Sequence, residues 1–573
     1  MSSENDIDVI VAIDFGTTFS GFAFAKKAKP EEININNIRL NNIWLGRRGL
    51  PKTNTALLYF DEFLELHRKW GEQALIYEPS KRVDQVHYII ERFKLLLDED
   101  AKDNWPVLPK NLDAKTVITD YFVKMKEVIE EVLDRRCKAT LSQVLFVLSV
   151  PAEWPPRTRD ILRDCVYKAG LLDESKRQSN RHRLEFTTEP EAAAIYCLSC
   201  AGENFSVGDT YLVVDCGGGT VDLTIRTLLP DKTLEEETVR SGGLCGSTFV
   251  DQEFLKFLRL TVGSEAMDQF KENHYGSLQK LIYKFFCPEV KLPFDGESDE
   301  FESIELDLEK WCPALIQYIS RETKEKLKKE EWIIDIKSDD VMRMFDPAVN
   351  DIIDLIHAQL ERLPKQRKVK TMFLVGGFSE STYLFKRVKT VFKNRIDINK
   401  IINPPEPIAA IVKGACYYGL NKDIIKIRTL KWSYGIEING EYDYNDPKEL
   451  RLDGNRISRF DALANQGDKL EVNKDSKPRE YKPLSRNQLA VTFILLYANF
   501  PNPKYPSQKG VKPLGKLTIN LPLKGYGTDR IIEFFIKFAE EELKKIHGTI
   551  LLSQCFTRKV DHYKEMALKY LIE

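Results

Sequence analysis

The chain has 573 residues, 43% of them hydrophobic and 30% charged, with a formal net charge of -2. That length exceeds what one core serves, so two or three domains are expected, and the composition is that of a soluble globular protein rather than a disordered or collagen-like one. The near-neutral balance, with only short basic runs, gives no electrostatic argument for nucleic acid or an anionic membrane as the main partner.

The start, Met1 to Asp8, is acidic and has neither the basic flank nor the apolar core of a signal peptide. No run approaches the roughly 18 apolar residues of a bilayer span. Ten cysteines are scattered without framework spacing, which fits free thiols in a reducing compartment. A cytoplasmic location is expected.

The first element is VIVAIDFGTTFSGFAFA, Val9 to Ala25: an apolar strand, Asp14, a small-residue bend and a second strand. Next, TTEPEAAAIYCLSCAG, Thr187 to Gly202, places Glu and Pro ahead of a helix rich in small residues, with Ala193 and Cys197 on one face. Cys197 and Cys200 make a lone CxxC, read as packing thiols rather than a metal or redox pair. YLVVDCGGGTVDLTIR, Tyr211 to Arg226, then echoes the first hairpin, with Asp215 in the place of Asp14. Self-similarity at that separation points to a duplicated domain.

Glycine at such bends lets backbone N–H groups approach a phosphate, and threonine hydroxyls add donors. An aspartate closing each leading strand supplies oxygen for Mg²⁺. Either hairpin alone is explained by a turn that needs glycine, whereas both together favour a polyphosphate gripped from two sides.

TMFLVGGFSEST, Thr371 to Thr382, reads as a strand, the Gly376-Gly377 break and a helix start, a place for a nucleoside to rest. NPPEPIAAIVKGACYYGL, Asn403 to Leu420, is a second Glu-Pro-led, small-residue helix with Ala410 and Gly414 on one face. Small residues at this spacing permit a close helix crossing and a hinge between lobes, and core packing explains them equally well. The charged stretch Arg321 to Glu331 reads as a solvated helix face.

From about Asp423, WSYGIEI, DKLEV, LAVTFILLY and KLTINLPL read as strands between turn-rich segments. DRIIEFFIKFAEEELKKIH, Asp529 to His547, is ambiguous: Ile532, Ile536, Ala539, Leu543 and Ile546 share a helical face, yet its first half also reads as a strand.

These five segments, in this order, resemble the actin-fold ATPases: two phosphate hairpins, an adenosine motif and two connecting helices. Within that fold the sequence looks most like the seventy-kilodalton heat-shock chaperones, through Asp14-Phe-Gly-Thr-Thr18, Glu189-Pro-Glu-Ala-Ala-Ala194, Asp215 to Asp222 and Leu374-Val-Gly-Gly377. More narrowly, Gly376-Gly-Phe-Ser-Glu-Ser381, Glu91-Arg-Phe-Lys94 and Lys413-Gly-Ala415 are similar to the divergent twelfth branch of that superfamily.

The resemblance implies an α/β fold: a duplicated actin-like, ribonuclease H-like ATPase domain over residues 8–422, then a small β-rich substrate-binding domain with a short helical tail over residues 423–573. It implies ATP or ADP with Mg²⁺, the metal held by Asp14 and Asp215. It places Gly16, Thr17, Thr18, Gly217, Gly218, Gly219 and Thr220 on phosphates and Gly376, Gly377 and Phe378 at the nucleoside. Glu189 matches the acid that positions the attacking water, Asp222 a carboxylate beside it, and Lys94 the lysine that stabilises the transferring phosphoryl. The alternative for Lys94 is a lysine snorkelling from a helix face.

Three departures stand out. SLQKLIYKFFCPEVKLPFDGES lacks the family's Glu, Lys, Arg and Ser adenine clamp, Phe378-Ser-Glu380 replaces Ser-Thr-Arg, and LCGST at Leu244 to Thr248 stands where Gly-Gly-Glu-Asp is usual. Only 26 residues follow His547, so the usual helical lid and acidic adaptor tail are not expected. The function expected is a chaperone-like protein that hydrolyses ATP slowly to control binding of unfolded or client segments, with co-chaperones or nucleotide-exchange factors as further partners. The alternatives are a nucleotide-sensing scaffold with little turnover and a small-molecule kinase on the same fold.

Overall fold

Val9–Asp14 and Val144–Val150 are apolar except for Asp14 and Ser149 and buried at every position. They pair in parallel, and a parallel strand covered on both faces has no reason to alternate. In this computed structural model the described residues are 6–552 without 46, 61–64, 80–85, 99–101, 103–104, 153, 178–180, 202–204, 298–300, 302, 394, 396–399, 473, 475–478, 484, 486, 522–529 and 540–541. They form a mixed α/β fold with several sheets.

The chain divides into two compact units, Met1–Leu228 with Arg240–Ile424, and Leu229–Val239 with Ile425–Glu573. In the first unit, one sheet runs in the order Leu184–Thr188, Val144–Val150, Val9–Asp14, Phe19–Lys26, Arg39–Leu40. The last two contacts in that order are antiparallel, so the opening hairpin forms the sheet's turning edge. Helix Ala114–Val132 packs on it, started by Asp113, whose carboxylate accepts the Thr116 N–H at 2.7 Å. Its inward face, including Tyr121 and Phe122, meets Phe15 beside the hairpin bend.

A second sheet in the same unit holds Lys400–Ile402, Val369–Val375, Thr210–Cys216 and Val221–Leu228, with Ser241–Gly243 paired to the last. Here Thr210–Cys216 pairs in parallel with Val369–Val375 and antiparallel with Val221–Leu228. Helix Ser338–Glu361 covers it through Val341, Phe345, Ile352 and Ile356. Helices Glu189–Ala201 and Ala410–Leu420 cross closely. Gly414 makes this possible: a Cβ there would lie 1.8 Å from the Ala192 carbonyl oxygen. The closest approach on the first helix is thus Ala192, one position from the Ala193 and Cys197 face. Cys197 is buried and Cys200 half-buried, both free thiols.

The second unit is built of strands. Its main sheet runs Arg451–Leu452, Arg456–Ala464, Ser433–Glu441, Ala490–Ala498, Val511–Asn520, around a small core of Ile436, Phe493, Leu495 and Leu517. Leu234–Glu236 enters this unit from mid-chain, outside the main sheet, and pairs in parallel with Ile425–Thr429, which pairs in turn with Lys469–Glu471. The ambiguous segment resolves as two antiparallel strands, Arg530–Ala539 and Glu542–Leu552. β-branched and aromatic residues in RIIEFFIKFA favour that state over the helical spacing of its apolar positions. A helical tail beyond residue 552 lies outside the described residues.

Candidate functional site

A cavity of about 330 Å³ opens in the first unit where the two hairpin bends meet. The first bend is tied by the Thr55 hydroxyl, which donates to the Gly16 carbonyl at 2.8 Å, while the Gly16 N–H donates to Ser20 Oγ at 3.2 Å. The second is closed by the Gly217 N–H on the Thr220 carbonyl at 3.0 Å. Behind it the LCGST turn has a definite job: the N–H groups of Gly246, Ser247 and Thr248 donate to the carbonyls of Gly219, Gly217 and Gly218 at 3.2, 3.0 and 2.9 Å. The two bends touch, since a Cβ on Gly218 would lie 2.0 Å from Thr18 Oγ1.

Asp14, Gly16, Thr17, Thr18, Lys94, Glu189, Asp215, Gly217, Gly218, Gly219, Thr220, Gly376, Gly377 and Phe378 all line this cavity. Asp222 does not. It stands opposite Asp215 in the hairpin register, buried behind the wall. Phe378 is buried and its ring lies 6.1 Å from that of Phe345, so it is wall and core at once.

The carboxylates are crowded. Burial first, then the charges of Glu189 and Asp222, push the Asp215 carboxyl well above its ordinary range. Asp215 Oδ1 is buried with no hydrogen-bond partner. Gly376, at φ +85°, brings backbone against the same oxygen: a Cβ there would lie 2.5 Å from it. A buried, orphaned carboxylate oxygen among like charges fits a hard cation. Among the described residues no three His, Cys, Asp or Glu side chains converge as a metal cage, so an ion on Asp14 and Asp215 would keep water or phosphate oxygens as its other ligands. Bound there, Mg²⁺ supplies charge neutralisation for phosphate oxygens.

Lys94 lies on the 3-10 turn Phe93–Leu97 and is buried, its Nζ donating to Glu189 Oε1 at 2.5 Å. That overturns the snorkelling alternative, because the ammonium points into the protein. Nζ also sits 5.3 Å from the ring centroid of Trp154, whose own Nε1 is buried without a partner. Burial raises the Glu189 carboxyl, with Asp14 adding to the effect and Lys94 opposing it. A carboxylate held this way can orient water and take its proton, and the ammonium can face charge developing on a phosphoryl group.

Sequence reasoning missed Lys52. Its Nζ donates to Asp14 Oδ2 at 2.5 Å inside the cavity. Burial works against this ammonium, yet Asp14, with Asp215 and Glu189 farther off, holds its pKa above the usual value. A lysine after a loop proline carries no local pattern that marks it. Also missed was the far wall, built by Tyr283, Cys287, Pro288 and Lys291. These come from the π-helical segment Leu281–Lys291, which contains Pro288 and so lacks one N–H for regular α-helical bonding. Lys291 Nζ donates to Asp251 Oδ1 and to the Ser247 carbonyl, each at 2.6 Å. The segment that lacks a clamp pattern therefore still walls the cavity, with an internally bonded lysine and an aromatic ring.

No family model matches the chain. Among curated proteins it is 27% identical to heat shock 70 kDa protein 12A of Mus musculus, over 98% of this chain and 92% of that protein. It is 25% identical to heat shock 70 kDa protein 12B of Homo sapiens, over 94% and 88% of the two. It is 24% identical to the chaperone protein DnaK of Thermosipho africanus, over 76% of this chain and 64% of that one. The resemblance to the seventy-kilodalton heat-shock superfamily, and to its twelfth branch in particular, therefore extends along nearly the whole chain. Among the described residues no helix is long and apolar enough to cross a membrane.

Proposed function

We propose that the chain is a chaperone-like ATPase of the cytoplasm, in which Mg·ATP bound between the two hairpins controls the grip of a separate β-rich unit on unfolded or client protein. The observation that carries this reading is the meeting of the Thr18 and Gly218 bends over one cavity that also holds Asp14, Asp215, Lys94 and Glu189. Nucleotide phosphates would rest on Gly16 to Thr18 and Gly217 to Thr220, and the nucleoside would lie against Gly376, Gly377 and Phe378. The ATPase domain would span residues 8–422 as two lobes of duplicated topology, and the client-binding domain residues 423–573. Support for duplication comes from the two sheets, each with an antiparallel hairpin beside two parallel strands.

In this reading Glu189 orients the attacking water and receives its proton, Lys94 faces the γ-phosphoryl, and Asp222 supports the charge balance from behind Asp215. Catalysis is positioning and electrostatics, and slow turnover suffices for a switch. Co-chaperones or exchange factors would set its timing. One observation favours the second reading, a nucleotide-sensing scaffold with little turnover: Lys94 already holds Glu189 Oε1 at 2.5 Å, which restrains the base. Phosphate release from Mg·ATP, measured beside Asp215→Asn and Glu189→Ala, separates the two. Release lost in both variants supports the ATPase; ATP binding without release supports the scaffold; no binding overturns both.

A further inference from the structure

A second and larger cavity of about 780 Å³ lies in the first unit, with Phe24, Arg39, Val128, Arg135, Arg136 and Lys413 among its walls. Beside it is a third of about 540 Å³ that shares Phe24, Arg39 and Arg136 and adds Lys26 and Cys137. Lys26 and Arg39 thus line one cavity together with the Cys137 thiol. The carboxylates present are mostly committed: Glu131 pairs with Arg135 and Glu406 with Lys413, while Glu32 lines the smaller cavity. Arg39 and Arg136 are exposed and, among the described residues, have no carboxylate partner.

The backbone presents these arginines in a fixed way. Arg39 lies opposite Phe24 in an antiparallel pair. Arg135 and Arg136 sit on the π-helical turn Leu133–Cys137, which ends at Lys138 with φ +56°. Two unpaired guanidinium forks in a concave site with an apolar floor of Phe24 and Val128 match the oxygens of a phosphate ester rather than a single point charge.

We propose that this paired cavity binds a small organic phosphate carrying several negative charges. The site has a route to the cleft. Pro51 lines both the 780 Å³ cavity and the 330 Å³ cavity. Glu406 and Lys413 face the former while Ile408 and Ile411 of the same segment face the latter. The binding itself does not rest on the proposed nucleotide reading.

The test is calorimetric titration of the full chain with inositol hexakisphosphate. The expected result is single-site binding weakened at least about tenfold in Arg39→Gln/Arg136→Gln and unchanged in Arg321→Gln, on an exposed helix away from these cavities, with Arg39→Lys/Arg136→Lys recovering only part of the affinity because charge is kept and the fork is lost. No binding, equal affinity in all variants, or equal loss in Arg321→Gln overturns the proposal. Octaglutamate that binds more tightly than the probe, and is lost in the arginine pair, overturns it in favour of an acidic peptide. Loss confined to the arginine pair stands even if the chain takes no nucleotide, so the two readings fail separately.

Discussion

Lys94 Nζ and Glu189 Oε1 lie 2.5 Å apart, with side-chain exposures of 5% and 6%. Neither charge has water to fall back on, so removing one partner leaves the other buried without its counter-ion. Lys94→Met or Glu189→Gln alone is expected to destabilise the first unit by roughly 3–5 kcal/mol, and the double variant by much less. Urea denaturation of the three proteins reads this, and additive losses would show that the pair is not coupled. Phosphate release is expected to fall in each single variant.

Asp215 stands in the opposite relation to its neighbours. Its carboxylate is buried among Glu189, Asp222 and Asp14, and ionised it costs stability. Asp215→Asn is expected to raise stability without ligand by on the order of 1 kcal/mol while losing Mg²⁺-dependent ATP binding. The sign with pH follows from the raised carboxyl: the penalty appears as pH climbs above the ordinary 3.8 and is complete above the raised value. The gap between variant and wild type should therefore widen as pH rises above 3.8 and close in acid. Melting curves with and without Mg·ATP check both halves.

Gly414 is fixed by a helix crossing, not by a turn. A methyl group there would lie 1.8 Å from the Ala192 carbonyl oxygen and 2.5 Å from its carbon, and backbone has no rotamer with which to escape. Gly414→Ala is expected to cost about 1–3 kcal/mol or more, and Gly377→Ala, whose nearest neighbour would be Ile408 at 3.8 Å, much less. If the helices Glu189–Ala201 and Ala410–Leu420 carry motion between lobes, the first variant should also weaken the dependence of client binding on ATP, measured with an unfolded polypeptide.

The parts legible in the sequence were those in which chemistry is written locally. Asp14 with its glycine-threonine bend, its echo at Asp215 and the Gly376-Gly377 break announce themselves because strand, acid and small residues are consecutive. Lys52 and Lys291 did not, since each reaches the cavity from a loop or π-helical turn whose neighbours carry no period. The segment from Asp529 to His547 is ambiguous for another reason: apolar residues three and four apart satisfy a helix, while the pairing of Arg530–Ala539 with Glu542–Leu552 is decided by β-branched content and a partner strand. The joining of residues 229–239 to the strand unit is likewise invisible, because nothing local to Leu234–Glu236 names Ile425–Thr429 as its partner.

That mid-chain strand depends on charge as well as on backbone pairing. Lys469 Nζ donates to Glu235 at 2.7 Å and to Glu237 at 2.9 Å, and the Glu237 side chain is only 1% exposed. Next to them, Glu236 accepts the Thr429 N–H at 3.0 Å, which locks the register between Leu234–Glu236 and Ile425–Thr429. Lys469→Met deprives a buried carboxylate of this ammonium while keeping the side chain's length. Faster amide exchange is therefore expected over 229–239 and 425–429, with exchange over Ser433–Glu441 unchanged, because the Ile436 core does not rest on that charge. Uniform acceleration across the unit would mean that the two sheets unfold as one.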